Sequence, residues 1–186
     1  AGGELSGEPT PSLWGRTDRV LVSASLSKAY GLAGLRLGWL VAPEEFREEL
    51  WARKDYTTIA PSPLSDRLGA AALERSVQAA LLERGRRILR GNLAILKDWA
   101  NEHADVLSFR PPTAGAIAFF RYDLPIGSSA LAERLLAEHS VLIVPGDQFG
   151  MDCHLRIGYG YTDPALQPGL ERLSGLLRSL ATVRAG

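Results

Sequence analysis

Ser25-Leu26-Ser27-Lys28-Ala29-Tyr30-Gly31-Leu32-Ala33-Gly34-Leu35-Arg36-Leu37-Gly38 decides how this chain is read. One lysine stands between small residues, glycines follow at 31 and 34, and one arginine comes eight residues after the lysine. Taken singly, each polar group has a plain reading. A lone lysine is usually solvated, a turn serine bonds its own backbone, and an arginine makes a surface ion pair. Taken together they say more. A lysine shielded from water near another cation attacks a carbonyl as the neutral amine. The planar fork of an arginine matches a phosphate dianion. The spacing suits a lysine that covalently holds an aldehyde cofactor, with Ser25 and Arg36 on the cofactor's phosphate.

Working outward, Val20-Leu21-Val22 reads as a short buried strand over 19–23, the lysine motif as a turn, and 35–41 as a second strand ending at Pro43. Pro43-Glu44-Glu45 opens a helix expected over 44–53, with acids at its positive end. Residues 55–63 carry Pro61 and Pro63 and read as loop. The pattern over 64–102 is helical, with a break expected at 78–81. Strands are expected over 106–109, 116–121, 141–144 and 155–158, with helices over 129–138 and 164–181. The first 55 residues thus read as pieces of a larger sheet, and the remainder as an α+β unit.

Composition narrows the function classes. The chain has 186 residues, with 21 basic and 21 acidic side chains and no net charge. No basic stripe interleaves with aromatics, which argues against nucleic acid as a partner. The arginines at 84, 86, 87 and 90 sit at helical spacing beside Glu83 and read as a solvated helix face. One cysteine, Cys153, excludes an intrachain disulfide framework. His103, His139 and His154 show no metal-ligand spacing. No apolar run approaches a membrane span, and no signal peptide is visible, so a cytoplasmic protein without membrane contact is expected.

Position by position, the run from Ser25 to Gly38 resembles the lysine signature of fold-type I, class I/II pyridoxal-phosphate aminotransferases. The resemblance implies pyridoxal 5'-phosphate as cofactor and Lys28 as the residue that forms a Schiff base with it. Lys28 would also move the proton between the substrate's α-carbon and the cofactor's aldehyde carbon. Ser25 and Arg36 would hold phosphate, with Ser23 and Ser27 as weaker candidates. A second motif lies in His154-Leu155-Arg156-Ile157-Gly158-Tyr159. An arginine inside an apolar strand is costly unless paired, and from the residues alone Arg156 reads as half of a buried salt bridge. The resemblance instead implies that Arg156 grips the substrate's α-carboxylate. Pro145-Gly146-Asp147-Gln148-Phe149-Gly150 precedes it, like the family's P-G-x-x-F-G segment, and Gly115 resembles a glycine that opens a strand beside the substrate. Thr57, Thr58 and Ser62 lie in a loop that family dimers direct toward the partner's site, and turn capping explains them as well.

The implied fold is α/β: the C-terminal part of an aspartate-aminotransferase-like large domain, then a small α+β C-terminal domain. Residues 1–55 would belong to the large domain, 56–102 to linking helices and 103–186 to the small domain. The implied activity transfers an amino group between an α-amino acid and a 2-oxo acid. Alternatives on the same fold are a lyase or cyclase, or a catalytically silent dimerisation module. The family's carboxylate for the cofactor ring nitrogen, an aspartate with a tyrosine three residues later, is expected upstream of Ala1. A homodimer is expected, or completion by a separate chain carrying the N-terminal half.

Overall fold

The computed structural model describes residues 3–162 and 164–185. They form two compact units, one reaching to Arg86 and one from Arg87 onward. In the first, β1 (Val22–Ser25) pairs antiparallel with β2 (Gly38–Val41), Val22 opposite Val41 and Ser25 opposite Gly38. Both strands sit closer to the lysine turn, or start later, than the apolar runs suggest. Ala33–Leu35 winds into a 3-10 turn, and Arg36 takes a left-handed φ of 50°, so the chain joins the ladder only at Gly38.

The helix expected over 44–53 starts as a 3-10 turn (Glu44–Phe46) and continues as α1 (Arg47–Asp55). Glu48 and Glu49 lie in its first turn and Arg53 and Lys54 in its last, complementing the helix dipole. α2 (Pro63–Leu73) begins on a proline, whose missing N–H costs nothing at a helix start. The break expected at 78–81 falls instead at Glu74, whose ψ of 135° ends α2 before α3 (Arg75–Glu102) begins. No proline or glycine marks Glu74, and the apolar spacing runs through it. Among the described apolar residues up to Arg86, only Leu26 and Ala72 are buried, whereas Trp39, Leu40 and Trp51 are exposed.

The second unit has an antiparallel sheet in the order β3-β4-β6-β5: β3 (Leu107–Phe109), β4 (Ile117–Tyr122), β5 (Val144–Pro145) and β6 (His154–Gly158). α4 (Ser128–His139) connects β4 to β5, and α5 (Leu166–Ala185) follows β6. The strand expected over 141–144 shrinks to Val144–Pro145. Ser140 closes α4 in the left-handed conformation, and the Ser140 and Val141 amides bond back to Leu136 and Leu135 at 3.2 and 3.1 Å. That cap uses the segment which the apolar run assigned to the strand. One face of the sheet supplies Ala118, Phe120, Tyr122, Leu155 and Ile157 to the core. Leucines 173, 176, 177 and 180 of α5 meet them at helical spacing. Burial pushes the Tyr122 hydroxyl up to about 12, so it stays protonated as the donor to the Ile126 carbonyl at 2.9 Å.

Three polar groups tie α3 to α5 inside this core. The Trp99 indole N–H donates to Ser174 Oγ at 2.8 Å, and Ser174 Oγ lies 2.7 Å from His103 Nε2. The hydroxyl thus accepts the indole hydrogen and shares a second hydrogen bond with the imidazole, whose direction follows the histidine tautomer. Burial and the Arg178 cation lower the His103 pKa, against weaker opposition from Asp105 and Glu102. The unfolded chain therefore takes up a proton on this histidine before the folded one does. Stability from this group is complete above the unfolded value of about 6.5 and is lost as pH falls from there toward the folded value. Denaturant midpoints of the native protein between pH 7.5 and 5 should fall with pH in that window. His103→Gln should flatten the fall while lowering the plateau, and equal slopes in the two proteins would remove His103 as its cause.

Candidate active site

The lysine turn is built by the hairpin that carries it. Ser25 and Gly38 face each other where the ladder ends, and a side chain at Gly38 would reach the Ala24 carbonyl oxygen at 2.8 Å. Only glycine admits that approach. The Leu26 amide extends the pairing to the Leu37 carbonyl at 3.1 Å, and the fully buried Leu26 side chain anchors the loop. α2 supports it from below, since Gly69 leaves room for the Leu37 methyls. The Lys28 carbonyl accepts the Gly31 amide at 3.0 Å in a tight turn, with Gly31 at φ +68°. On α3, Gln78 donates to the Tyr30 hydroxyl at 3.1 Å, and Gly85 faces the Ala29 carbonyl.

Ser25, Lys28 and Arg36 are thus carried by one loop of one unit, and all three are exposed. The Ser25 hydroxyl accepts the Ser27 amide at 3.3 Å and keeps its own hydrogen to donate. Arg36 spends one terminal nitrogen on the Ala33 carbonyl at 3.1 Å. Neither Arg36 nor Lys28 has a carboxylate partner among the described residues. No Asp or Glu occurs from residue 19 to 43, so the loop holds two uncompensated cations. An amine for an aldehyde, and a guanidinium plus a hydroxyl for a phosphate, make a donor set that fits pyridoxal phosphate.

Arg156 belongs to the second unit. Strand alternation sends Leu155 and Ile157 into the core and Arg156 to the opposite face, half-buried, opposite Phe119 of β4 and Val144 of β5. The salt bridge that the residues alone suggest is absent among the described residues. The guanidinium lies instead over the Phe149 ring, 5.9 Å from its centroid. Phe149 stands edge-on to Phe119 at 6.0 Å, and Phe119 stacks on the His154 imidazole at 5.1 Å. The aromatic row is invisible in the sequence, because its members come from β4, β6 and the turn between β5 and β6. Gly115, at φ +76°, gives its carbonyl to the Tyr159 hydroxyl at 2.7 Å. Asn92 of α3 bonds the carbonyls of Tyr159 and Tyr161 at 2.7 and 2.8 Å, a support that no motif announced. Thr57 and Thr58 lie in the turn after α1, where the Thr57 hydroxyl donates to the Lys54 carbonyl at 2.9 Å. No helix of the described residues is long and apolar enough to cross a membrane.

Lys28, Ser25 and Arg36 on the hairpin turn of the first unit, and Arg156 on the antiparallel sheet of the second, are the sequence-predicted donor groups, each described in its own unit. The solved PLP-dependent aminotransferase from Streptococcus suis 89-1591 superposes with a TM-score of 0.82 at 35% identity, over 88% of this chain and 43% of that one. The family described as aminotransferase class I and II matches residues 2–173, and the chain belongs to it. Capreomycidine synthase of Streptomyces vinaceus is 40% identical over 167 residues, 90% of this chain and 41% of the relative. The 3-methylarginine biosynthesis aminotransferase of Streptomyces arginensis is 31% identical over 164 residues, 86% of this chain and 42% of the relative. The chain therefore spans less than half the length of the curated relatives it matches.

Proposed function

We propose that the native enzyme transfers an amino group between an α-amino acid and a 2-oxo acid. The observation that carries this reading is the acid-free turn in which Lys28, Ser25 and Arg36 are all open to a ligand. Lys28 Nζ is the attachment point for the cofactor's aldehyde and, when free, the base that carries the proton at the substrate α-carbon. Ser25 Oγ and the open nitrogens of Arg36 hold the phosphate. Arg156 holds the substrate α-carboxylate. When bound, the cofactor supplies the electron sink that makes that carbon acidic.

Residues 1–55 belong, on this reading, to the large cofactor-binding domain, 56–102 to linking helices and 103–186 to the small domain. The exposure of Trp39 and Leu40 on a sheet of only two strands supports the first assignment, since such a hairpin is marginal alone. The enzyme works in the cytoplasm as a homodimer.

A second reading keeps every residue role and changes the outcome, from transfer to a synthase or lyase reaction. It is favoured by the 40% identity to a protein named as a synthase, against 31% to the named aminotransferase. One assay separates the two. Purified native holoenzyme is incubated with a panel of α-amino acids, with and without 2-oxoglutarate or pyruvate. Transfer predicts one 2-oxo acid consumed per amino acid and no sustained turnover without it. Sustained turnover without any 2-oxo acid would overturn transfer in favour of the second reading.

A further inference from the structure

We infer that Phe149 is a positioning residue for Arg156, and that this ring, rather than a carboxylate, sets how the arginine meets its ligand. The inference rests on the reading of Arg156 as the α-carboxylate group. An arginine on a strand face is normally aimed by an acidic neighbour, which also neutralises it. Here the residues directly across the ladder are Phe119 and Val144, neither of which offers a side-chain acceptor. The only described side-chain contact of the guanidinium is the Phe149 ring at 5.9 Å, within reach of a cation–π attraction. That attraction holds one face of the guanidinium and leaves its N–H edges and full charge for an incoming carboxylate.

The ring itself is well anchored although half exposed. It ends the 3-10 turn Gly146–Phe149, which Gly150 caps at φ +71°. The Gly150 amide bonds the Asp147 carbonyl at 2.9 Å, and the Met151 amide bonds the Gly146 carbonyl at 3.0 Å. Asp147 Oδ2 accepts the Ser129 hydroxyl of α4 at 2.6 Å. Gly146 is buried so tightly that a side chain there would collide with the Met151 carbonyl and the His154 side chain. Beyond Phe149, the row continues through Phe119 to His154, whose Nδ1 lies 2.8 Å from the Asp152 carbonyl. Asp152 Oδ1 in turn accepts the amides of Ser128 and Cys153, both at 2.7 Å, and the Ser128 hydroxyl at 2.8 Å. Those bonds keep its carboxyl below the usual range, so the anchor stays ionised at neutral pH. The aromatic row thus transmits the rigidity of the α4–β6 junction to the guanidinium.

The test compares native holoenzyme with Phe149→Leu, Phe149→Tyr and Arg156→Gln. Each acts on an α-amino acid substrate and on the corresponding amine that lacks the carboxylate. Phe149→Leu should raise KM for the amino acid about 2- to 5-fold, with kcat little changed. It should leave kcat/KM for the amine unaltered, and Phe149→Tyr should restore the amino-acid KM. In the Arg156→Gln background, Phe149→Leu should add nothing. An unchanged KM in Phe149→Leu, or an equal loss for amino acid and amine, would overturn the positioning role. If Phe149→Leu is poorly folded, Phe149→Met, unbranched and still apolar, takes its place with the same expectations. Arg156→Gln distinguishes the two levels. If it abolishes the preference for the carboxylate while Phe149→Leu does nothing, this inference alone fails. If it leaves that preference intact, the proposed role of Arg156 fails and the inference falls with it.

Discussion

Lys28→Ala in the native holoenzyme should remove the visible band of lysine-bound cofactor and lower turnover by at least about 10³-fold. A positioned proton-transfer group alone accounts for about 10²–10⁴ of rate, and the covalent attachment is lost as well. Lys28→Arg should do the same, because an arginine keeps the charge but supplies no neutral amine near pH 7. Both variants should still bind the cofactor weakly, since Ser25 and Arg36 remain. Borohydride reduction gives the complementary result in the wild type. The chain has two other lysines, Lys54 and Lys97, both exposed. Lys54 Nζ is already bonded to the Thr58 hydroxyl. Within these 186 residues a reduced cofactor adduct should therefore map to the Lys28 peptide alone. Turnover retained in Lys28→Ala, or an adduct spread evenly over the three lysines, would sink the assignment.

What could be read in advance follows from how local each feature is. The lysine turn was legible because its determinants lie within fourteen consecutive residues and depend on spacing. The family and the α/β character rest on that run and on the strand around Arg156, and the comparisons bear both out. Element boundaries were less legible where one residue's backbone decides them. Arg36 in the left-handed region delays β2, Glu74 splits two helices with no change in side-chain pattern, and Ser140 caps α4 inside an apolar run. Each reflects a backbone conformation that many residue types adopt at modest cost once packing demands it.

Partners distant in sequence were not legible at all. The residues suggested a salt bridge for Arg156, and the structure supplies an aromatic ring contributed by another turn. The hydrogen-bond partner of His103, Ser174, lies 71 residues away on α5, so no local spacing announces it. Periodicity assigns a face to each element, but not which faces meet. The exposed apolar residues of the first unit follow from the reading of residues 1–55 as pieces of a larger sheet: the two-stranded hairpin leaves Trp39 and Leu40 uncovered.

Phe120→Ala should cost about 3–5 kcal/mol of stability, the upper range for a buried aromatic truncation. Phe120 is fully buried on β4, paired across the ladder with Phe109 on one side and Leu155 on the other. Its ring stacks on Phe109 with centroids 4.4 Å apart and meets the Trp99 ring edge-on at 5.5 Å. Truncation opens a cavity bounded by the sheet and α3, and it removes two aromatic contacts worth about 0.5–1.5 kcal/mol each beyond their area. Trp99 cannot swing into the space freely, because its indole N–H is committed to Ser174. Relaxation that would soften the loss is therefore restricted, which places the expected value high in the range. Phe109→Ala should cost clearly less, since that ring is only half-buried. The measurement is denaturant unfolding of the native protein and both variants at pH 7.5, above the ordinary histidine value. A loss below about 1 kcal/mol for Phe120→Ala would mean that this core collapses around the vacancy, contrary to the anchoring of Trp99. The variant also bears on the site, because β4 pairs directly with β6, which carries Arg156 opposite Phe119. A cavity behind that pair loosens the strand that aims the guanidinium. At temperatures where the variant remains folded, its amino-acid KM should rise while its Lys28-bound cofactor band is unchanged.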